Sequence, residues 1–152
     1  MEYISTRNKK LNFDFKDVFL RGLAPDGGLF IPKNIKTYSK SELINLEKLS
    51  YVDLAIEIIS NFCPDIEKDK LSRLIKKSYE NFEIKDVVQI KKIGDINLVE
   101  LYHGPTLAFK DIAMQVIGNM YDELKISSEK TINIVVATSG DTGSAAISAL
   151  ND

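Results

Sequence analysis

Apolar and polar positions alternate along this chain with more than one period. A short β-leaning run, Tyr3 to Thr6, comes first, followed by helical spacing from Phe13 to Leu23 that puts Phe15, Val18, Phe19 and Gly22 on one side. Asp14 is placed to cap that helix. In "APDGGLFIP" Pro25 presets φ and Gly27 and Gly28 permit positive φ, so a tight turn feeds a short extended piece, Leu29 to Ile31. A short helical pattern spans Ser41 to Leu49. A second begins at Ser50, where "SYVD" resembles a capping box, and its stripe of Tyr51, Leu54, Ala55, Ile58, Ile59 and Phe62 predicts core. Pro64 ends it. "DIEKDKLSRLIKKSYENF" predicts an amphipathic helix that buries Leu71, Leu74, Ile75, Ser78 and Phe82 and leaves its lysines to water.

After Lys85 the period shortens. "VVQIKKI", a turn at Gly94 and Asp95, and "INLVELY" predict a hairpin. A helix from about Leu107 to Leu124, a strand from Thr131 to Ala137, a glycine turn and a helix from Thr142 follow. The expected class is α/β: a mostly helical part, residues 1–90, then the first strand-helix units of a doubly wound domain, residues 91–152. A parallel sheet buried on both faces needs more strands than these, so the chain is expected to be a portion of a longer protein.

Composition narrows the classes. Apolar residues make up 44% and charged residues 28%, as in a folded globular chain. The net charge of −2 contains no basic block, which argues against nucleic acid as a partner. The longest apolar runs, such as Ile134 to Ala137, fall far short of the roughly 20 residues that cross a bilayer, so no membrane partner is expected. The polar start "MEYISTRNKK" lacks the apolar core of a secretory signal and leaves the cytoplasm as the expected compartment. Cys63 is the single cysteine, with no disulfide partner and no metal-ligand spacing, and is expected to serve as a small hydrophobe.

Two stretches carry candidate chemistry. "IVVATSGDTGSAA" places Ser139, Gly140, Asp141, Thr142, Gly143 and Ser144 at a helix start, where free N–H groups and the helix dipole favour a carboxylate or phosphate. It is neither a P-loop nor a dinucleotide fingerprint. The competing expectation is an ordinary capped turn, with Ser139 or Asp141 satisfying the backbone. In "GPTLAFKDIAMQ", Lys110 stands where the dipole disfavours a cation. An amine held there among Leu107, Ala108, Phe109 and Ile112 spends more time neutral, as a nucleophilic lysine must. Asp111 is what the dipole prefers in a first turn. His103 is the only histidine, so no His-based dyad or zinc site can be built, and a structural role beside the site is expected of it. Tyr102 and Thr106 flank the same turn, within reach of a ligand or as caps and packing.

Together these segments resemble the threonine synthase family, fold-type II enzymes dependent on pyridoxal 5′-phosphate (PLP). The resemblance rests on "YISTR" (3–7), "GLAPDGGLFIP" (22–32), "LSYVDLAIEIISNF" (49–62), "ELYHGPTLAFKDIAMQ" (100–115) and "ATSGDTGSAA" (137–146), the last two being the specific ones. It implies that Lys110 binds the cofactor's aldehyde, that Phe109 packs near it, and that the turn from Ser139 to Gly143 lies against the cofactor ring and the substrate carboxylate. Asp141 and Thr142 are thereby cofactor contacts, and Thr106, Ser139, Gly140 and Gly143 substrate contacts. The family reaction turns O-phospho-L-homoserine and water into L-threonine and phosphate, with the lysine moving protons between substrate carbons. The family's glycine-rich phosphate loop, and the hydroxyl that faces the pyridine nitrogen, have no counterpart before Asp152, so these residues alone are expected to show no appreciable turnover. Two alternatives stand beside this one: a related phospholyase that releases 2-oxobutyrate, and a non-catalytic folded remnant that pairs through an open sheet edge. Oligomeric state is not legible.

Overall fold

A computed structural model describes residues 1–125 and 133–150. Among the described residues there are five strands and six helices, an α/β arrangement: β1 (Tyr3–Ser5), β2 (Asn12–Phe13), α1 (Phe15–Arg21), β3 (Phe30–Pro32), α2 (Lys40–Leu46), α3 (Tyr51–Ser60), α4 (Lys68–Tyr79), β4 (Gln89–Ile93), β5 (Ile96–Glu100), α5 (Asp111–Lys125) and α6 (Asp141–Leu150). None of the described helices is long and apolar enough to cross a membrane. The chain divides into two compact units, residues 1–49 with 53–71 and residues 50–52 with 72–152.

In the first unit β1 is central in a three-stranded antiparallel sheet of order β2-β1-β3, with Tyr3 opposite Phe13 and Pro32. Asp14 caps α1 as its position predicts, accepting from Asp17 N at 2.7 Å. The capping box that forms at α2 lies at Ser39 and Glu42, whose side chains and backbones bond reciprocally. Tyr3, Ile4, Ala24, Ile56, Cys63, Ile66 and Leu71 are buried. The Tyr3 hydroxyl donates to the Phe62 carbonyl at 2.5 Å, and burial pushes its phenol up to about 12. Cys63 is the small hydrophobe expected: it is buried, donates weakly to Ile59 O, and burial raises its thiol to about 11.

The stripe predicted on α3 is only half-buried, and the residue it hides is Ile56. Apolar side chains occupy nearly every side of that helix, so spacing alone could not select a face. On α4 the pattern is less ambiguous: Leu71, Leu74, Ile75 and Ser78 are buried while Lys76 and Lys77 face water, and Phe82 is buried just beyond the helix, which ends at Tyr79.

In the second unit the C-terminal end of α4 is hydrogen-bonded to α5. Ser78 Oγ donates to Leu74 O at 2.8 Å, Asn119 Nδ2 reaches Ser78 Oγ at 3.1 Å, and the Tyr79 hydroxyl donates to Ile112 O at 3.1 Å. α5 and α6 cross where Gly118 meets Ala149, a contact so close that a Cβ on Gly118 would collide with the Ala149 carbonyl. The predicted hairpin forms, β4 against β5, with Ile93 opposite Ile96 around Gly94 at φ 59°. The strand predicted from Thr131 to Ala137 does not: residues 131 and 132 lie outside the described residues, and Asn133 to Thr138 run without a ladder. A strand exists only when a neighbour takes up its backbone groups, and among the described residues nothing pairs with this segment.

Candidate functional site

Helix α5 begins at Asp111, four residues later than the apolar spacing suggests. The reason is local. Leu107 sits at φ 62°, a left-handed conformation that no right-handed helix accommodates, and its N–H closes a turn onto Gly104 O at 3.1 Å. Asp111 N and Ile112 N close tight turns onto Ala108 O and Phe109 O at 3.0 and 3.4 Å, and the first carbonyl to accept a bond from four residues on is that of Lys110, from Met114 N at 2.9 Å, so Lys110 holds the capping position just ahead of the helix.

Asp111 is fully buried. Thr106 N donates to its Oδ2 at 2.8 Å and the Thr106 hydroxyl to its Oδ1 at 2.7 Å. Gly104 lies directly against this carboxyl, and a Cβ there would occupy the same space. The hydroxyl proton of Thr106 is thus directed at Asp111.

The Lys110 amine lies 4.6 Å from the centroid of the Phe109 ring, a cation–π distance. Among the described residues it makes no ion pair with a carboxylate. The apolar enclosure expected around it is not built: Ala108 is buried, but Leu107 and Phe109 are 66% and 54% exposed. Spacing does not reveal that Leu107 takes a left-handed backbone conformation, and so does not reveal which of these side chains face water.

The turn before α6 has a cap that the sequence analysis missed. Thr138 Oγ1 accepts from Gly143 N at 3.0 Å and from Gly140 N at 3.2 Å, while Gly140 takes φ 141°. A threonine ahead of a glycine at a helix start was the available signal. Ser139 and Asp141, the caps expected instead, are exposed, and their side chains make no hydrogen bond with the described residues. The hydroxyl of Ser139 and the N–H groups of Asp141 and Thr142 remain open at the positive end of a ten-residue helix. Thr106, Phe109 and Lys110 are thus brought together in one loop, and Ser139, Gly140, Asp141, Thr142 and Gly143 in another turn. No hydrogen bond or ion pair among the described residues joins the two.

His103 is buried beside this loop, as a structural histidine should be. Its Nε2 lies 3.3 Å from Glu100 Oε2, and since a carboxylate only accepts, Nε2 carries the hydrogen. The Tyr102 ring stacks at 4.6 Å. Glu100 also receives Lys91 Nζ at 2.7 Å, a bond that holds its carboxyl below the ordinary range against the opposing effect of burial. Hairpin register places Lys91 and Glu100 on one face, so this pairing was available from the strand pattern.

An aldehyde cofactor needs a primary amine that no carboxylate neutralises, and Lys110 provides one beside an exposed aromatic face. A substrate carboxylate needs open donors, and the start of α6 provides them. These residues fit a PLP-type group at its aldehyde end. No group of three or more His, Cys, Asp or Glu among the described residues is arranged to hold a metal ion.

Residues 2–79, just over half of the chain, match the family model described as threonine synthase N terminus. Threonine synthase of Methylobacillus glycogenes is 40% identical over 96% of this chain and 33% of its own length. Threonine synthase-like 2 of Xenopus laevis is 41% identical over 97% of this chain and 32% of its own length. The solved structure of PLP-bound threonine synthase from Brucella melitensis superposes with a TM-score of 0.93 at 37% identity, over 99% of this chain and 33% of that one. The chain spans about a third of the length of the relatives it matches. A family match over more than half of its residues, with relatives along nearly all the rest, establishes that the chain belongs to the threonine synthase family.

Proposed function

We propose that this chain carries the lysine end of the active site of a PLP-dependent threonine synthase, acting on O-phospho-L-homoserine and water to give L-threonine and phosphate. The observation that carries the proposal is the unneutralised Lys110 amine at the cap of α5, beside the exposed Phe109 ring. The likeness to a PLP-bound threonine synthase along nearly the whole chain supports it. Residues 1–90 form the family's N-terminal domain in this proposal, and 91–152 open the cofactor-binding domain.

When bound, PLP supplies an electron sink for charge developing on the substrate carbons. The rest is done by side chains. Lys110 would hold the cofactor by its aldehyde and, with the substrate amine in its place, would take and return protons at the substrate carbons. Phe109 would pack near the cofactor. Ser139 would hold the substrate carboxylate near the positive end of α6, with Gly140 and Gly143 letting the backbone approach, while Asp141 and Thr142 would meet the cofactor. Phosphate leaves the γ carbon and water adds at the β carbon.

Titrating the chain with PLP, followed by the absorbance change of a lysine-bound aldehyde, tests this against Lys110→Ala. The variant is expected to lose the saturable component. Identical titrations overturn the assignment. The equal likeness to a threonine synthase-like 2 protein favours a second reading, a phospholyase releasing 2-oxobutyrate. Measuring threonine and 2-oxobutyrate in parallel with phosphate release separates the two.

A further inference from the structure

We infer that Thr106 and Asp111 form a latch that positions Lys110, with Asp111 a positioning residue and not merely a favourable charge in a first helical turn. The inference rests on the assignment of Lys110 as the covalent anchor and deepens it. Asp111 is fully buried, and among the described residues no cation pairs with it. Its charge is met by the start of α5 and by two donors from one residue, the Thr106 N–H at 2.8 Å and hydroxyl at 2.7 Å. These bonds close a ring through the side chains of residues five apart. Inside that ring are the left-handed Leu107, the exposed Phe109 and Lys110 itself. Gly104 seals it from the other side, since its missing Cβ leaves the space that the Asp111 carboxyl occupies.

Two consequences follow from this geometry. The backbone that carries the reactive amine has its path set by the latch before any ligand arrives, which is the preorganisation an attacking nucleophile needs. The Thr106 hydroxyl, with its proton given to Asp111, offers a ligand only lone pairs, which suit no anionic group of a substrate. Thr106 therefore acts on the chemistry through the loop and not by holding the substrate's carboxylate or phosphate.

Thr106→Val keeps the shape and the backbone bond but removes the hydroxyl, and Thr106→Ser restores it. In the chain without PLP, amide hydrogen exchange at Thr106 and Leu107 is expected to quicken about tenfold or more in the valine variant, the effect of losing one hydrogen bond to a charge. Exchange in α6 is expected to stay as it was. With PLP, the rate of borohydride-fixed labelling at Lys110 is expected to fall by a similar factor, and serine is expected to recover both. Asp111→Asn, which keeps size and removes the charge, is expected to lower labelling in the same way. Unchanged exchange in the valine variant overturns the latch. Loosened exchange with labelling at the normal rate overturns positioning, as does a loss of labelling that serine does not recover. A wild-type chain that takes no label at Lys110 overturns the proposed function instead, and the exchange arm still reports on the latch by itself.

Discussion

Ser5 donates its hydroxyl to Oδ1 of Asp26 at 2.7 Å, and this bond ties the first strand to a turn 21 residues away. The same carboxyl accepts from Gly28 N at 2.9 Å, while Arg7 reaches the Asp26 carbonyl at 3.2 Å. Two of the segments that carry the family resemblance, "YISTR" and "APDGGLFIP", thus meet at one aspartate. Their joint presence has a physical cause.

The Ser5 hydroxyl, then the Gly28 N–H, holds the Asp26 carboxyl below the usual range. A carboxyl depressed in the folded state contributes stability above its unfolded value and loses it as pH falls through its folded value. Asp26→Asn is therefore expected to flatten the fall in stability between about pH 5 and pH 2. Urea unfolding midpoints measured across that window check it, and parallel curves for both chains would count against it.

Gly118 should not tolerate a side chain. Gly118→Ala is expected to lower stability by about 1–3 kcal/mol, because the new Cβ meets the Ala149 carbonyl and α5 and α6 must separate. Chemical denaturation followed by far-ultraviolet circular dichroism is the measurement. A change within the usual scatter of surface substitutions contradicts the crossing described here.

Leu107 is exposed and left-handed, so its side chain contributes little packing while its backbone is strained. Leu107→Gly is expected to leave stability unchanged or raise it by about 1 kcal/mol, the left-handed penalty relieved less the entropy of glycine. Leu107→Val is expected to lower it. The order of the two unfolding midpoints decides.

Much of the fold was legible where one physical rule acted alone. Asp14 had no competitor as a cap, the stripe on α4 had a single apolar face, and Gly94 with Asp95 marked a two-residue hairpin turn. The α3 face was not legible, because apolar side chains lie on several sides of it. β2, of two residues, is too short to have a period. The flanking pattern singles out Lys110 but does not show its setting. Leucine does not advertise a positive φ, so neither the delayed start of α5 nor the exposure of Leu107 and Phe109 could be read from spacing. The Asp111 latch was hidden for a related reason. The sequence marks Asp111 only as the carboxylate a helix dipole prefers in its first turn, and does not show that the turn at Gly104 folds Thr106 onto it.

Lys110, among the many lysines of this chain, is the residue proposed to anchor the aldehyde. Incubating the chain with PLP, reducing with borohydride and mapping the labelled peptides tests it most directly. The expected result is a phosphopyridoxyl label concentrated on the peptide containing Lys110 and lost in Lys110→Ala. A label spread evenly over the surface lysines, or concentrated on another one, would contradict it.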